Sequence, residues 1–348
     1  DFAKILVGRI PGGLAHTNIL GNTLFDSLSG SSVAASVAIG GVLIPMEEKE
    51  GYDKKFAAAV NIASAPTGLI IPPSGILIIY PVLAGCSVVG MIMSGYIPGL
   101  MWALACMVVA YVIAKKNHYP TAGKVAPSVF FKYFVDAIPS LLLIVIIVGG
   151  VMSGIFTATE SAAVAVAYTL FLSIVVYRSI KIKDLPKILL DACETTAVIM
   201  FLIAGSNVMS FVMSFTGLPS AIGNALISVS SNKYVILLII NLVLLVVGCF
   251  MDITPAVLIF TPIFLPVVQS FGMDPIHFGI MMVMNLGIGN ITPPVGSALF
   301  SGCSVADMDM EDMIKPILPF YAAIFVALML VAYVPWFSMA LPTLFGAV

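Results

Sequence analysis

The sequence predicts an all-α polytopic membrane protein built as an inverted repeat, with two re-entrant hairpins and two broken transmembrane helices. Three observations carry that reading: an extreme apolar composition, an octapeptide pattern that occurs twice, and a one-sided distribution of basic residues. Of the 348 residues, 60% are hydrophobic and 9% are charged, where a soluble chain carries about 25% charged residues. Several stretches supply the ~20 mainly apolar residues that cross a hydrocarbon core. Strand-like alternation is absent and the apolar runs are too long for barrel strands, which excludes a β-barrel.

The elements follow from apolar runs bounded by charges. A first unit spans 1–114, with paired short arms over 17–45 around SLSGSS (27–32), a broken helix over 56–83 and a plain helix over 88–114. Residues 115–194 hold scaffold helices and cytoplasmic loops, with spans at 133–153 and 158–177. A second unit spans 195–348, with a plain helix at 195–217, paired arms over 233–270 around MDITP (251–255), a broken helix at 278–302 and a last helix at 317–341.

Each broken helix contains the same spelling, GLIIPPSG at 68–75 and GNITPPVG at 289–296, 221 residues apart (68 to 289). At that offset Gly68, Ile70, Pro72, Pro73 and Gly75 fall on Gly289, Ile291, Pro293, Pro294 and Gly296, while Pro45 falls on Pro266 and Pro98 on Pro319. The second unit has a plain helix ahead of its paired arms. Its counterpart would lie upstream of Asp1, so the chain is expected to be an N-terminally truncated piece of a longer subunit.

If each pair of arms enters and leaves by one face and every other segment crosses, the two broken helices run in opposite directions. Fourteen of the 15 Lys and Arg residues then share one face, from Lys4, Arg9 and Lys124 to Lys315, and only Lys233 lies on the other. Basic residues favour the cytoplasmic side, which puts the C-terminus outside. Two units of opposite orientation are the signature of secondary transporters, whose sites lie near the midplane at the repeat interface.

A proline inside a helix removes one donor and displaces the carbonyl four residues back. In lipid each freed group costs several kcal/mol unless something satisfies it. A sodium ion is a partner for unwound carbonyls, and small hydroxyl residues complete an oxygen shell suited to a hard cation. In the first half Ser29, Gly30, Ser31 and Ser32 form a hairpin tip facing Ser64, Thr67 and Gly68. In the second, Gly248, Asp252 and Thr254 face Gly289, Asn290 and Thr292.

SLSGSSVA, GLIIPPSG, GIFTATESAAVA, MDITP and GNITPPVG resemble the large membrane subunit, the DctM-like M subunit, of tripartite ATP-independent periplasmic (TRAP) transporters. The likeness runs over essentially the whole chain, with the family's amino-terminal helices missing. It implies sodium-driven uptake of a small organic acid, such as a carboxylate or sialic acid, by an elevator motion in the bacterial inner membrane. It also implies a soluble periplasmic substrate-binding protein and a small, Q-type membrane subunit as partners. The family's sodium ligands fall on hairpin tips and helix breaks. That role passes to Ser29, Ser31, Ser64, Thr67, Gly68, Gly248, Asp252, Gly289 and Thr292, with two or more loosely held Na+ ions. Substrate contacts are assigned to Ser32, Asp252, Thr254 and Asn290. The alternative is a sodium-coupled dicarboxylate carrier of the same architecture that acts alone.

Asp252 is the most interesting acid, since an ionisable group at membrane depth is a functional candidate by default; its other reading is a cap on the second arm. Asp26 either pairs with a neighbour or approaches the substrate cavity. Glu160 follows Thr157 by three residues, as in a capping box. Asp191 and Glu194 suit a helix N-terminus, and Asp307, Asp309, Glu311 and Asp312 form an exposed acidic loop. No basic tract argues for nucleic acid. The five cysteines lie singly, as small apolar residues, and the three histidines are isolated. No nucleophile–base pair suggests an enzyme, and no charged ring suggests a channel.

Overall fold

The computed structural model describes residues 7, 10–121, 127–230 and 232–347; Lys4, Arg9 and Lys124 lie outside them. Among the described residues the chain is helical, with no strand. Helix α1 (Gly13–Ser29) and α2 (Ser32–Lys49) form the first hairpin, turned at Gly30. Gly30 takes φ +64, a left-handed conformation that glycine adopts without a Cβ penalty, and its N–H donates to Asp26 O at 2.7 Å, closing the C-cap. Ser31 then starts α2 by accepting from Ala34 N at 3.3 Å, a side-chain N-cap.

The first broken helix is α3 (Lys54–Ser64), a kink at Pro66, the single turn α4 (Thr67–Ile70), and α5 (Ile76–Ala84) after the Pro-Pro break. Helices α6 (Val88–Ser94) and α7 (Tyr96–Lys116) meet at Gly95 and complete the unit. Next come α8 (Pro127–Met152) and α9 (Ala158–Phe171), the latter extended by a π-turn at Leu172–Val176. The capping box expected for α9 is present: Thr157 N donates to Glu160 Oε2 at 2.8 Å and Glu160 N to Thr157 Oγ1 at 3.3 Å.

The long helix α10 covers Leu185–Thr216. It starts well before residue 195, so Asp191 and Glu194 lie beyond its first turn and do not serve its N-terminus. Helix α11 (Leu218–Val229) has no counterpart in the sequence reading. Helices α12 (Lys233–Phe250) and α13 (Ile253–Ser270) form the second hairpin, and α14 (Pro275–Asn290) and α15 (Ser297–Val305) the second broken helix. The final span is two helices, α16 (Met310–Tyr333) and α17 (Trp336–Leu344), parted at Val334–Pro335. Pro335 offers no N–H to continue the first of them.

The 221-residue offset also carries α2 onto α13 and α5 onto α15, end to end. Both breaks hold a cis Pro–Pro peptide, at Pro72–Pro73 and Pro293–Pro294. The half-helix after each break packs on the second arm of the opposite hairpin, α5 on α13 and α15 on α2. This crossed arrangement brings both tips and both breaks together at the centre of the molecule.

The core lies around α3 and α14, both buried over nearly their full length. Trp102 is wholly buried and its Nε1 donates to Ala63 O at 2.9 Å, just before the kink. Tyr80 OH donates to Pro275 O at 2.6 Å, joining α5 to the start of α14. At the polar rim Lys55 Nζ meets Asp312 Oδ1 at 2.7 Å; Asp312 and Glu311 lie in the first turn of α16 and not in the expected acidic loop, and Asp312 is paired.

Six described helical stretches are long and apolar enough to cross a membrane, among them Val88–Lys116, Ile182–Met213 and Met310–Tyr333. The surface of α10 is apolar, with Phe201 80% and Phe215 86% exposed. Such a face incurs no hydrophobic cost against lipid.

Replacing Trp102 by Phe removes the donor to a buried carbonyl. The expected cost is about 1–3 kcal/mol, read as a lower midpoint of thermal unfolding in detergent.

Candidate functional site

Two seams hold the hairpins against the breaks. In the second, Gly289 and Gly248 approach so closely that a Cβ on Gly289 would lie 2.5 Å from Gly248 Cα, and one on Gly248 would lie 3.0 Å from Gly289 Cα. Gly296 N donates to Cys249 O at 3.2 Å, so part of the exposed backbone of the break is satisfied by the hairpin. In the first seam a Cβ on Gly68 would lie 2.5 Å from Asp26 C and would collide with Ser27 N. Ser27 stands 221 residues before Gly248, as Gly68 does before Gly289. The octapeptide glycines therefore let each break lie directly against hairpin backbone.

A polar network backs each seam. Asn22 Nδ2 lies within 3.1 Å of four oxygens: Asn18 Oδ1, Asn61 O, Asn61 Oδ1 and Ser64 Oγ. An amide nitrogen has two protons, so this pocket holds more oxygen than one donor saturates. Ser64 Oγ itself donates to Val60 O at 2.8 Å. In the second half Asn285 Nδ2 donates to Asn241 Oδ1 at 2.6 Å and lies 3.0 Å from Asn241 O. Buried oxygens left without a hydrogen-bond partner include Asn22 Oδ1, Asp26 Oδ2, Thr67 Oγ1, Ser74 Oγ and Asn285 Oδ1. All belong to hairpins or broken helices. Orphaned buried oxygens are costly, and an oxygen-only set of this kind matches the ligand preference of a hard cation.

Between the seams lies a cleft of about 590 Å³. Its rim takes Ser29, Ser31 and Ser32 from the first tip, Asp252 and Thr254 from the second, and Ser297 from the second break. The hydrogen bond from Asn290 Nδ2 to Ser32 Oγ, 2.8 Å long, joins the second break to the first tip across 258 residues of sequence. Helix α10 supplies the remaining wall through Thr195 and Ile199.

The structure therefore divides the sequence candidates into two groups. Ser29, Ser31, Ser32, Asp252 and Thr254 line the cleft together. Ser64, Thr67, Gly68, Gly248, Gly289 and Thr292 sit behind it in the seams and do not line it; Thr292 Oγ1 donates to Ile288 O at 2.6 Å. Asn290 connects the groups. Asp252 occupies the N-cap position of α13 with its side chain exposed and making no cap bond, so its carboxylate is free to face the cleft. Asp26 is wholly buried and accepts from Ser29 Oγ at 3.2 Å; the carboxyl pairs with a neighbour at the tip and does not line the cleft.

Sequence reasoning named Asn290 but missed the asparagines of the seams, Asn18, Asn22, Asn61, Asn241 and Asn285, together with Ser74, Ser297 and Thr195. One signal was available for the asparagines: Asn285 is the 221-residue mate of Ser64, a second polar residue in an otherwise apolar run. Thr195 gave none, because a single threonine on a long helix has no distinguishing pattern.

Gly68→Ala and Gly289→Ala are each expected to cost about 1–3 kcal/mol through overpacking, seen as a lower thermal midpoint. Gly75→Ala is the control, since its Cβ would meet nothing within 4 Å, and it should leave the midpoint in place.

Residues 1–337 match the family described as "Tripartite ATP-independent periplasmic transporter, DctM component". Among curated proteins the chain is 51% identical to the "Uncharacterized protein YgiK" of Salmonella typhimurium, covering 99% of this chain and 80% of that protein. It is 39% identical to the "Sialic acid TRAP transporter large permease protein SiaM" of Vibrio cholerae, over 99% of this chain and 81% of that one. Identity to the "C4-dicarboxylate TRAP transporter large permease protein DctM" of Pseudomonas aeruginosa is 38%, again over 99% and 81%. The matched residues include both hairpins and both breaks, so the chain belongs to the DctM family of TRAP-transporter large permease subunits and is a multi-pass protein of the bacterial inner membrane.

Proposed function

We propose that this chain is the permease subunit of a sodium-coupled, binding-protein-dependent secondary transporter that imports a small organic acid by an elevator motion. The observation that carries the reading is the cleft lined by both hairpin tips and tied across the halves by Asn290 and Ser32. The matched element boundaries at the 221-residue offset support two units of opposite orientation meeting at mid-bilayer, with the basic loops cytoplasmic and the C-terminus periplasmic.

Sodium is a co-transported substrate here, and the donor set fits it. In the first half Ser29, Ser31, Ser64, Thr67 and Gly68 would hold one ion, with the orphaned Thr67 Oγ1 as an available oxygen. In the second, Gly248, Asp252, Gly289 and Thr292 would hold another, Asp252 bringing the formal charge. Ion occupancy stitches each break to its tip, so that an empty site disfavours the assembled cleft. Ser32, Thr254, Asn290 and Asp252 would contact the acid. In this reading a periplasmic binding protein delivers the substrate, and a small membrane subunit covers part of the apolar surface of the scaffold helices.

Uptake in proteoliposomes tests this directly. Ser31→Ala and Thr292→Ala are each expected to raise the sodium concentration for half-maximal uptake by about tenfold, the scale of one lost hydroxyl ligand or hydrogen bond. Unchanged sodium dependence in both would defeat the ion assignment. Omitting the soluble binding protein should abolish uptake; undiminished uptake without it would point to a carrier that acts alone.

A further inference from the structure

The cleft hydroxyls differ in where their protons go. Thr195 Oγ1 donates to Asp191 O at 3.0 Å, one turn back along α10. Ser297 Oγ donates to Asn290 Oδ1. A hydroxyl has one proton and two lone pairs, so with these protons committed Thr195 and Ser297 offer the cleft acceptors alone. The Asp252 carboxylate, unused as a cap, offers more of the same. Against them stand the hydroxyls of Ser31, Ser32 and Thr254, which donate to no protein group among the described residues. No Lys, Arg or His is among the described residues that line the cleft.

We propose that Thr195 and Ser297, with Asp252, read substrate hydroxyl groups, and that the cleft takes a polyhydroxylated monocarboxylate in preference to a bare dicarboxylate. The inference rests on the reading of this cleft as the substrate site and specifies its substrate class. One carboxylate is served by the uncommitted hydroxyls at the tips. A second carboxylate would meet the lone pairs of Thr195 and Ser297 with no basic side chain in the cleft to offset them, an arrangement that repels the wrong ligand as much as it welcomes the right one. Substrate hydroxyls bring the donors that this wall lacks. A site of paired acceptors discriminates strongly against an analogue that leaves them unpaired. Thr195 is the informative member because it comes from α10, outside both hairpins and both breaks, and has no part in the ion sites described above.

The experiment uses the full-length permease purified in lipid nanodiscs, with thermal stabilisation measured against D-gluconate and against succinate, each in sodium and in potassium. Gluconate is expected to act with an apparent affinity at least about tenfold tighter than succinate. Thr195→Val should weaken the gluconate response about tenfold while leaving the succinate and sodium responses unchanged, and Thr195→Ser should restore it. Equal or tighter action of succinate overturns the proposal, as does a wild type that responds to neither acid. A Thr195→Val effect that falls on both acids alike, or on the sodium response alone, overturns it too. Acid preference without any sodium response would sink the sodium coupling and leave this inference standing.

Discussion

Peptide groups freed by a broken helix have no water to turn to inside a bilayer, and this constraint organises the rest of the molecule. Two helices break at Pro–Pro, and two hairpins turn within reach of those breaks. Each break and each turn exposes backbone polar groups that lipid cannot satisfy. The arrangement that buries all four presses them against one another, and glycine permits it. Gly289 lies against Gly248, and Gly68 against the Asp26–Ser27 peptide, at separations that no side chain would allow. Among the oxygens that remain unpaired after this packing, those of Thr67, Asp26, Asn22 and Asn285 lie in the same two seams, while the two of Glu47 lie near the far end of α2.

From that packing follows the crossed arrangement of the two halves. Helix α15 lies on α2 and α5 lies on α13, so neither hairpin can shift without carrying the other half's half-helix. The broken helices and hairpins form one body, and the cleft is internal to it except where α10 closes one side. The wall from α10 differs in character: Ser206 Oγ donates to Leu258 O on α13, while most of the helix surface is exposed and apolar.

Much of this was legible in the sequence because proline and glycine act locally. The breaks, the tips, the pairing of arms and the repeat offset all follow from residues whose backbone preferences hold regardless of neighbours. The rest depended on tertiary packing. Residues 218–229 fall between the spans read at 195–217 and 233–270 and are too few to cross a bilayer, yet they form α11. Hydropathy does not register the missing N–H at Pro335, so 317–341 read as one helix where there are two. The division of the candidates into cleft and seam was also hidden. Ser64 and Ser31 are alike as residues, but Ser64 faces Asn22 behind the break and Ser31 opens a helix at the rim. Asp312 read as a solvated acid because its partner, Lys55, lies 257 positions away.

The amide of Asn290 is gripped from two sides, its oxygen by Ser297 within its own half and its nitrogen by Ser32 in the other. It works as a caliper on the gap between the halves. Anything that widens or narrows that gap from one side changes the free energy of whatever is bound on the other, a reciprocal thermodynamic linkage. A single neutral contact of this type contributes about tenfold at most to such a coupling.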